Sequence, residues 1–127
     1  MNLFLTISAL AGLGSAFGHS YLSERFILKP MYAARGDNRV LADGASWRVT
    51  VAMFHLVSLA WVAIASATLW LMLNPQREAL VLLTVFGGAF CFLSALGNLW
   101  SLRRPHVGNI LLTIAAASLI AGAFTPP

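Results

Sequence analysis

The sequence predicts an all-α integral membrane protein, a bundle of four transmembrane helices with both termini on the outer side. Three observations carry that expectation. The composition is 59% hydrophobic and only 9% charged across 127 residues, and the mean hydropathy is +0.81, whereas a soluble domain carries about 25% charged residues. The uncharged residues fall in four runs, 1–23, 49–76, 79–102 and 105–127. About 20 helical residues cross the hydrocarbon of a bilayer, so each run spans once and none spans twice. Finally, backbone groups in lipid must be satisfied within their own segment, which requires helices here because no strand-like alternation is present.

The first span is expected over about 2–23. Its start lacks the positive residues of a signal peptide, so it is read as a retained helix. Cleavage before His19 would expose an N-terminal histidine, a copper-binding arrangement, but the missing basic residues argue against it. Pro30 is expected to end this helix near Leu28. A basic cytosolic loop over 24–48 follows, with turn signals at Gly36-Asp37-Asn38 and Asp43-Gly44 and Ser46 as the N-cap of the next span. The second span runs over about 49–74, ended by Asn74-Pro75. The third covers about 79–102 and the fourth about 106–125, joined at Arg103-Arg104. Trp47 and Trp100 fall near the same interface.

Charge fixes the expected orientation. Arg25, Lys29, Arg35, Arg39, Arg48, Arg103 and Arg104 share one side, and Arg77 stands alone on the other. Seven against one places the basic loops in the cytosol, in a bacterial inner membrane or its equivalent. The net charge of +4 then serves orientation and contact with anionic lipid, not nucleic acid. The single cysteine, Cys91, excludes an internal disulfide.

At 100° per residue each span shows a smaller or more polar stripe. Ser8, Gly12, Ser15, His19 and Ser23 share a face of span one; Thr84, Gly87, Cys91, Ser94 and Asn98 share one of span three. Span four offers Asn109, Thr113 and Ala116, with His106 at the edge, and span two His55 and Ser66 with Leu59, Val62 and Leu69. Such stripes are expected to face inward. His19, His55, Asn98 and Asn109 lie five to seven residues from the basic boundary, so they form one expected polar layer about 8–10 Å deep. His106 lies nearer the boundary. Small pairs, Gly14 with Gly18, Ala117 with Ala121 and Ser118 with Gly122, suit close helix packing within the bundle or in a homo-oligomer. Trp61, near mid-span, is read as a packed helix contact or a pocket lining.

These residues bound the chemistry. His19 and His55 are the candidate metal or haem b ligands. Glu24 lies about 140° from His19 on an ideal helix and is expected to stay apart from it. No Asp or Glu falls within an expected span, so a carboxylate proton relay is not expected, and neither Ser20 nor Ser58 is expected to meet an imidazole oriented by a carboxylate. No catalytic set, cofactor or nucleic-acid partner is therefore expected. The leading functional expectation is an accessory or scaffold subunit that packs, through the bilayer, against a larger membrane complex. The alternative is a small ligand-, metal- or haem-binding or transporting bundle, its site formed by His19, His55, Asn98, Asn109 and His106.

Overall fold

Four long antiparallel helices account for almost all of the computed structural model, which describes residues 2–125. In chain order they are α1 (Leu3–Ser23), a π-helical turn (Glu24–Leu28), α2 (Lys29–Ala33), a 3₁₀ turn (Arg35–Asp37), α3 (Arg39–Ala42), α4 (Gly44–Leu73), α5 (Arg77–Leu102) and α6 (Val107–Phe124). Among the described residues there is no strand. The stretch Leu3–Ala33 is one continuous rod, and it, α4, α5 and α6 are each long and apolar enough to cross a membrane. This is the pattern of a multi-pass membrane protein.

The basic connection is shorter and more helical than the loop expected over 24–48. Pro30 does not stop the first helix. Lys29, the residue before it, is right-handed helical at φ −62° and ψ −48°, and its N–H reaches back five residues to the Glu24 carbonyl. A proline removes one N–H and crowds the carbonyl a turn earlier. The π-turn directly upstream absorbs that crowding and lets the rod continue to Ala33. At the next long helix, α4, the N-cap is Asp43, not Ser46: its Oδ2 accepts from the Ser46 N–H at 2.8 Å. That bond holds the Asp43 carboxyl below the ordinary carboxylate range. Consequently α4 begins at Gly44, five residues before the uncharged run. Trp47, expected at an interface, packs on Tyr32 with ring centroids 5.3 Å apart, and Arg35 covers the same tyrosine at 4.1 Å. The α5–α6 turn closes with Arg103 in the left-handed region at φ 50°.

In cross-section α1 packs against α4 on one side and α6 on the other, and α5 packs against α6. Small residues explain the two close approaches of α1. A Cβ on Gly12 would meet the Ala65 Cβ of α4 at 3.5 Å, and a Cβ on Gly14 would meet Leu111 of α6 at 3.7 Å. Ser8 donates to the Ala115 carbonyl at 2.8 Å. Asn2 caps α1 through the N–H groups of Phe4 and Leu5, and donates to the Gly122 carbonyl at 3.0 Å, tying the start of α1 to the end of α6. The fourth contact, between α4 and α5, is sparse. It includes Gly87, whose Cβ would lie 3.2 Å from Ile64.

Two expected stripes are rotated. In α4 the buried face is Ser58, Trp61, Ala65, Thr68 and Leu71, while Leu59 and Ser66 are exposed. In α6 Thr113 is exposed and Asn109, Leu112 and Ala116 face inward. The core is built from Trp61 surrounded by small residues, among them Ala11, Ala16, Cys91 and Ala95. One large indole filling space left by alanines on facing helices is the interdigitation that close packing requires.

The two glycine environments predict opposite outcomes. A Cβ on Gly122 would lie 2.5 Å from Leu5 Cδ2 and 3.3 Å from its backbone nitrogen, whereas Gly18 has nothing within 4 Å. Gly122→Ala is expected to destabilise the bundle by about 1–3 kcal/mol in detergent unfolding. Gly18→Ala is expected to be neutral or slightly stabilising, since alanine is the better helix former.

Candidate functional site

The expected polar layer divides in two. Its physical cause is that α4 lies across two neighbouring faces of α1. His19, on one face, places Nδ1 3.0 Å from Ser58 Oγ and sets its ring edge against Trp61, with centroids 5.2 Å apart and planes at 85°. Ser20, one residue and 100° further on, places its hydroxyl 3.3 Å from His55 Nδ1. Glu24, a full turn beyond Ser20 on that same face, brings Oε2 to 4.0 Å from His55 Nε2. So each helix supplies a serine to the other's histidine. The expectation that no carboxylate would reach an imidazole is corrected: Glu24 stays off the His19 face, as its angle requires, but meets His55 because it follows Ser20.

Ser20, His55 and Glu24 thus stand in series, but their geometry is that of a helix fastening. Ser20 sits inside α1, where the surrounding N–H groups are engaged in helical bonds and no pair of backbone donors is free to hold an oxyanion. His106 is also committed to structure: its Nδ1 accepts from the Gly108 N–H at 3.1 Å and caps α6. Asn109 is buried and donates to the Ala95 carbonyl of α5 at 3.3 Å. The Asn109 Oδ1, the Ser15 hydroxyl and the Trp61 indole N–H are buried without a hydrogen-bond partner among the described residues.

His19 and Asn98 remain, and these two line a common cleft. Where α4 and α5 diverge toward the basic end, a lateral opening of about 370 Å³ lies between them. Its floor is His19 with Trp61 and Val57; its other wall is Ser94, Gly97, Asn98, Trp100 and Ser101 of α5. No Asp, Glu, Lys or Arg lines it. Asn98 is half-buried and its amide makes no hydrogen bond to the described residues. Gly97 forms part of the wall, and a Cβ there would meet nothing within 4 Å. Trp100 is 81% exposed at the rim. Sequence reasoning placed His19 and Asn98 at one level and Ser94 on the face of Asn98, but missed Gly97 and Ser101 as lining and Ser58 as the partner of His19; the one-turn spacing of Ser94, Asn98 and Ser101 along α5 was the available signal.

A larger opening, about 550 Å³, lies at the opposite end between Asn2, Leu71, Arg77 and Phe124. It gathers none of the histidines. Among the described residues no group of three or more His, Cys, Asp or Glu side chains is placed to hold a metal ion. His19 is the one histidine in the α4–α5 cleft, since His55 is turned to Glu24. The cleft suits hydrogen bonding to a neutral molecule better than ligation. Comparisons with protein-family models, curated proteins and solved structures gave no match to this chain.

The two serine–histidine contacts are expected to differ in weight. A polar contact between membrane helices contributes about 0.6 kcal/mol on average. An edge-to-face ring contact adds about 0.5–1.5 kcal/mol. His19→Ala is therefore expected to destabilise the chain more than His55→Ala, by about 1 kcal/mol in a denaturant titration of the detergent-solubilised protein.

Proposed function

We propose that this chain is a small multi-pass membrane protein that holds a ligand in the cleft between α4 and α5. The observation that carries this reading is the cleft itself, a shallow concavity of about 370 Å³, open to the side, with unpaired polar groups on its wall. His19 and Asn98 are the proposed hydrogen-bonding residues, and Trp61 and Trp100 the aromatic ones. No bond-making step is assigned to it. His55, Asn109 and His106, which the sequence groups with the site, are read as structural on the bonds described above.

The proposed orientation puts the cleft in the cytosolic half of a bilayer, both termini outside, because seven of the eight Lys and Arg residues lie at that end. A bacterial inner membrane is the setting that this charge rule describes. In a Cys91→Ala background, Asp37→Cys is expected to react with a membrane-impermeant maleimide only after the inner face is opened. Labelling of intact cells or spheroplasts would reverse the orientation.

Gly97 supplies the test of the site. A Cβ on Gly97 would meet nothing within 4 Å, so Gly97→Leu is directed into the open cleft to fill it, and unchanged thermal unfolding of the variant is the control for its fold. Mass spectrometry of small molecules retained by the purified protein is expected to show a species in the wild type that Gly97→Leu lacks. Identical retention by both would reject the site.

A second reading, an accessory subunit of a larger membrane complex, is favoured by one feature. α5 is the least covered of the four spans, with 22% of its apolar window buried against 39% for the first. A partner's helix along α5 would cover it, and Gly97→Leu would then change which subunits co-purify, not which small molecules.

A further inference from the structure

The chemistry of the cleft narrows its ligand, on the reading that the cleft is a site. Three features select among molecules dissolved in a membrane. The first is charge. With no Lys or Arg on its walls, the cleft has nothing to neutralise a phosphate or carboxylate, and an unpaired ion taken out of water is strongly disfavoured. Charged headgroups are thereby excluded, while the cations stand outside it at the basic end.

The second is the donor set. Ser58 Oγ lies 3.0 Å from the Nδ1 of His19; in the tautomer in which Ser58 donates, Nε2 carries the ring proton and is the donor available to a ligand. The Asn98 amide and the Ser94 and Ser101 hydroxyls add further donors on the opposite wall. This arrangement matches a ligand whose oxygens accept hydrogen bonds on two sides. The third is shape and access. Gly97 leaves a flat gap in the α5 wall, indoles stand at the floor and rim, and the cleft opens sideways because α4 and α5 are hardly in contact. Asn98 lies five residues from Arg103, about 8 Å along the helix, deeper than the charged headgroup layer.

We infer that the cleft binds the head of a lipid-soluble quinone: a flat uncharged ring, with carbonyl oxygens accepting from His19 and Asn98 and an apolar tail leaving between α4 and α5. Binding is the whole of the assignment, and no electron transfer is included.

The experiment uses the purified full chain in detergent micelles and decylubiquinone as the probe, read by quenching of tryptophan fluorescence, which Trp61 and Trp100 report from the cleft. The wild type is expected to show saturable quenching. Gly97→Leu, which fills the cleft, and Asn98→Leu, which keeps its volume but removes the amide, are each expected to weaken binding about tenfold or more. Both variants are checked for unchanged thermal unfolding. Saturable binding that Asn98→Leu leaves intact overturns the assigned head-group contacts. No quinone binding, with another molecule retained by the wild type and lost in Gly97→Leu, overturns the quinone and keeps the cleft as a site. No binding and no retained molecule overturns both.

Discussion

The bundle depends on the close approach of α1 to two neighbours at once. Gly12 admits Ala65 and the Trp61 backbone on one side, and Gly14 and Ser8 admit Leu111 and Ala115 on the other. For helices in lipid there is no water to expel, so association there rests on packing and on hydrogen bonds between helices. Small residues allow both, since they shorten the distance over which a serine must reach a carbonyl. α1 packs through such residues against both α4 and α6, and α6 in turn packs as closely against α5, so the helices are joined in the order α4, α1, α6, α5 and α4 is left with α1 as its one extensive partner. The cleft is a consequence. α4 and α5 are joined by a short turn at Asn74–Gln76 and touch at Gly87 and Ile64, but nothing draws them together toward the basic end.

Polar residues at that end follow the same geometry. Had all four helices met equally, their stripes would have converged on the axis in one layer. With α4 lying across two faces of α1, the histidines are separated by the 100° step between Ser20 and His19. His55 is drawn into the fastening that Ser20 and Glu24 make, and His19 is left with one nitrogen on Ser58 and its ring at the cleft floor. The division between a structural and an available histidine is thus a matter of helix phase. Trp61 reinforces it. Its indole fills the space left by Ala11, Ala16 and Ala95, and it props the His19 ring in an edge-on position.

Much of this was legible in the sequence. The number of long helices followed from the charge-free runs, because their lengths match one crossing each and charged residues interrupt them sharply. The inward stripes of α1 and α5 were legible too, since Ser8, Gly12, Ser15, Gly87 and Cys91 are smaller or more polar than the leucines and phenylalanines around them, and all are buried. In α4 and α6 that contrast fails. Ser58, Thr68 and Asn109 do face inward, but Trp61, Leu71, Leu112 and Leu119 beside them are as apolar as residues facing outward, and the isolated Ser66 and Thr113, which are exposed, misdirected the phase. Such single hydroxyls are silent in a membrane helix because they can bond back to their own backbone, as Thr68 does to the Ile64 carbonyl. The continuation through Pro30 was illegible for another reason. Proline's local rule favours a stop, and the π-turn that relieves it has no sequence mark of its own.

Charge placement and cleft chemistry belong to one argument about sorting. Seven cations crowd the basic end, and none enters the cleft. In the proposed orientation an anionic headgroup approaching from the inner leaflet meets the cations first and is held at the interface, where its charge stays hydrated. A neutral head gains little there and loses little on moving about 8 Å deeper. On the proposed reading, a neutral head in the cleft would face the Asn98 amide and the Ser94 and Ser101 hydroxyls, which make no hydrogen bond to the described residues, so each bond it accepted would replace no existing one. The selectivity of such a site does not require tight walls. It follows from a desolvation cost that falls on charged competitors and spares neutral ones. On the proposed reading, that cost would let a cleft lined by His19, Ser94, Asn98, Ser101 and two indoles discriminate, since the bilayer itself excludes most of the molecules that it would otherwise have to reject.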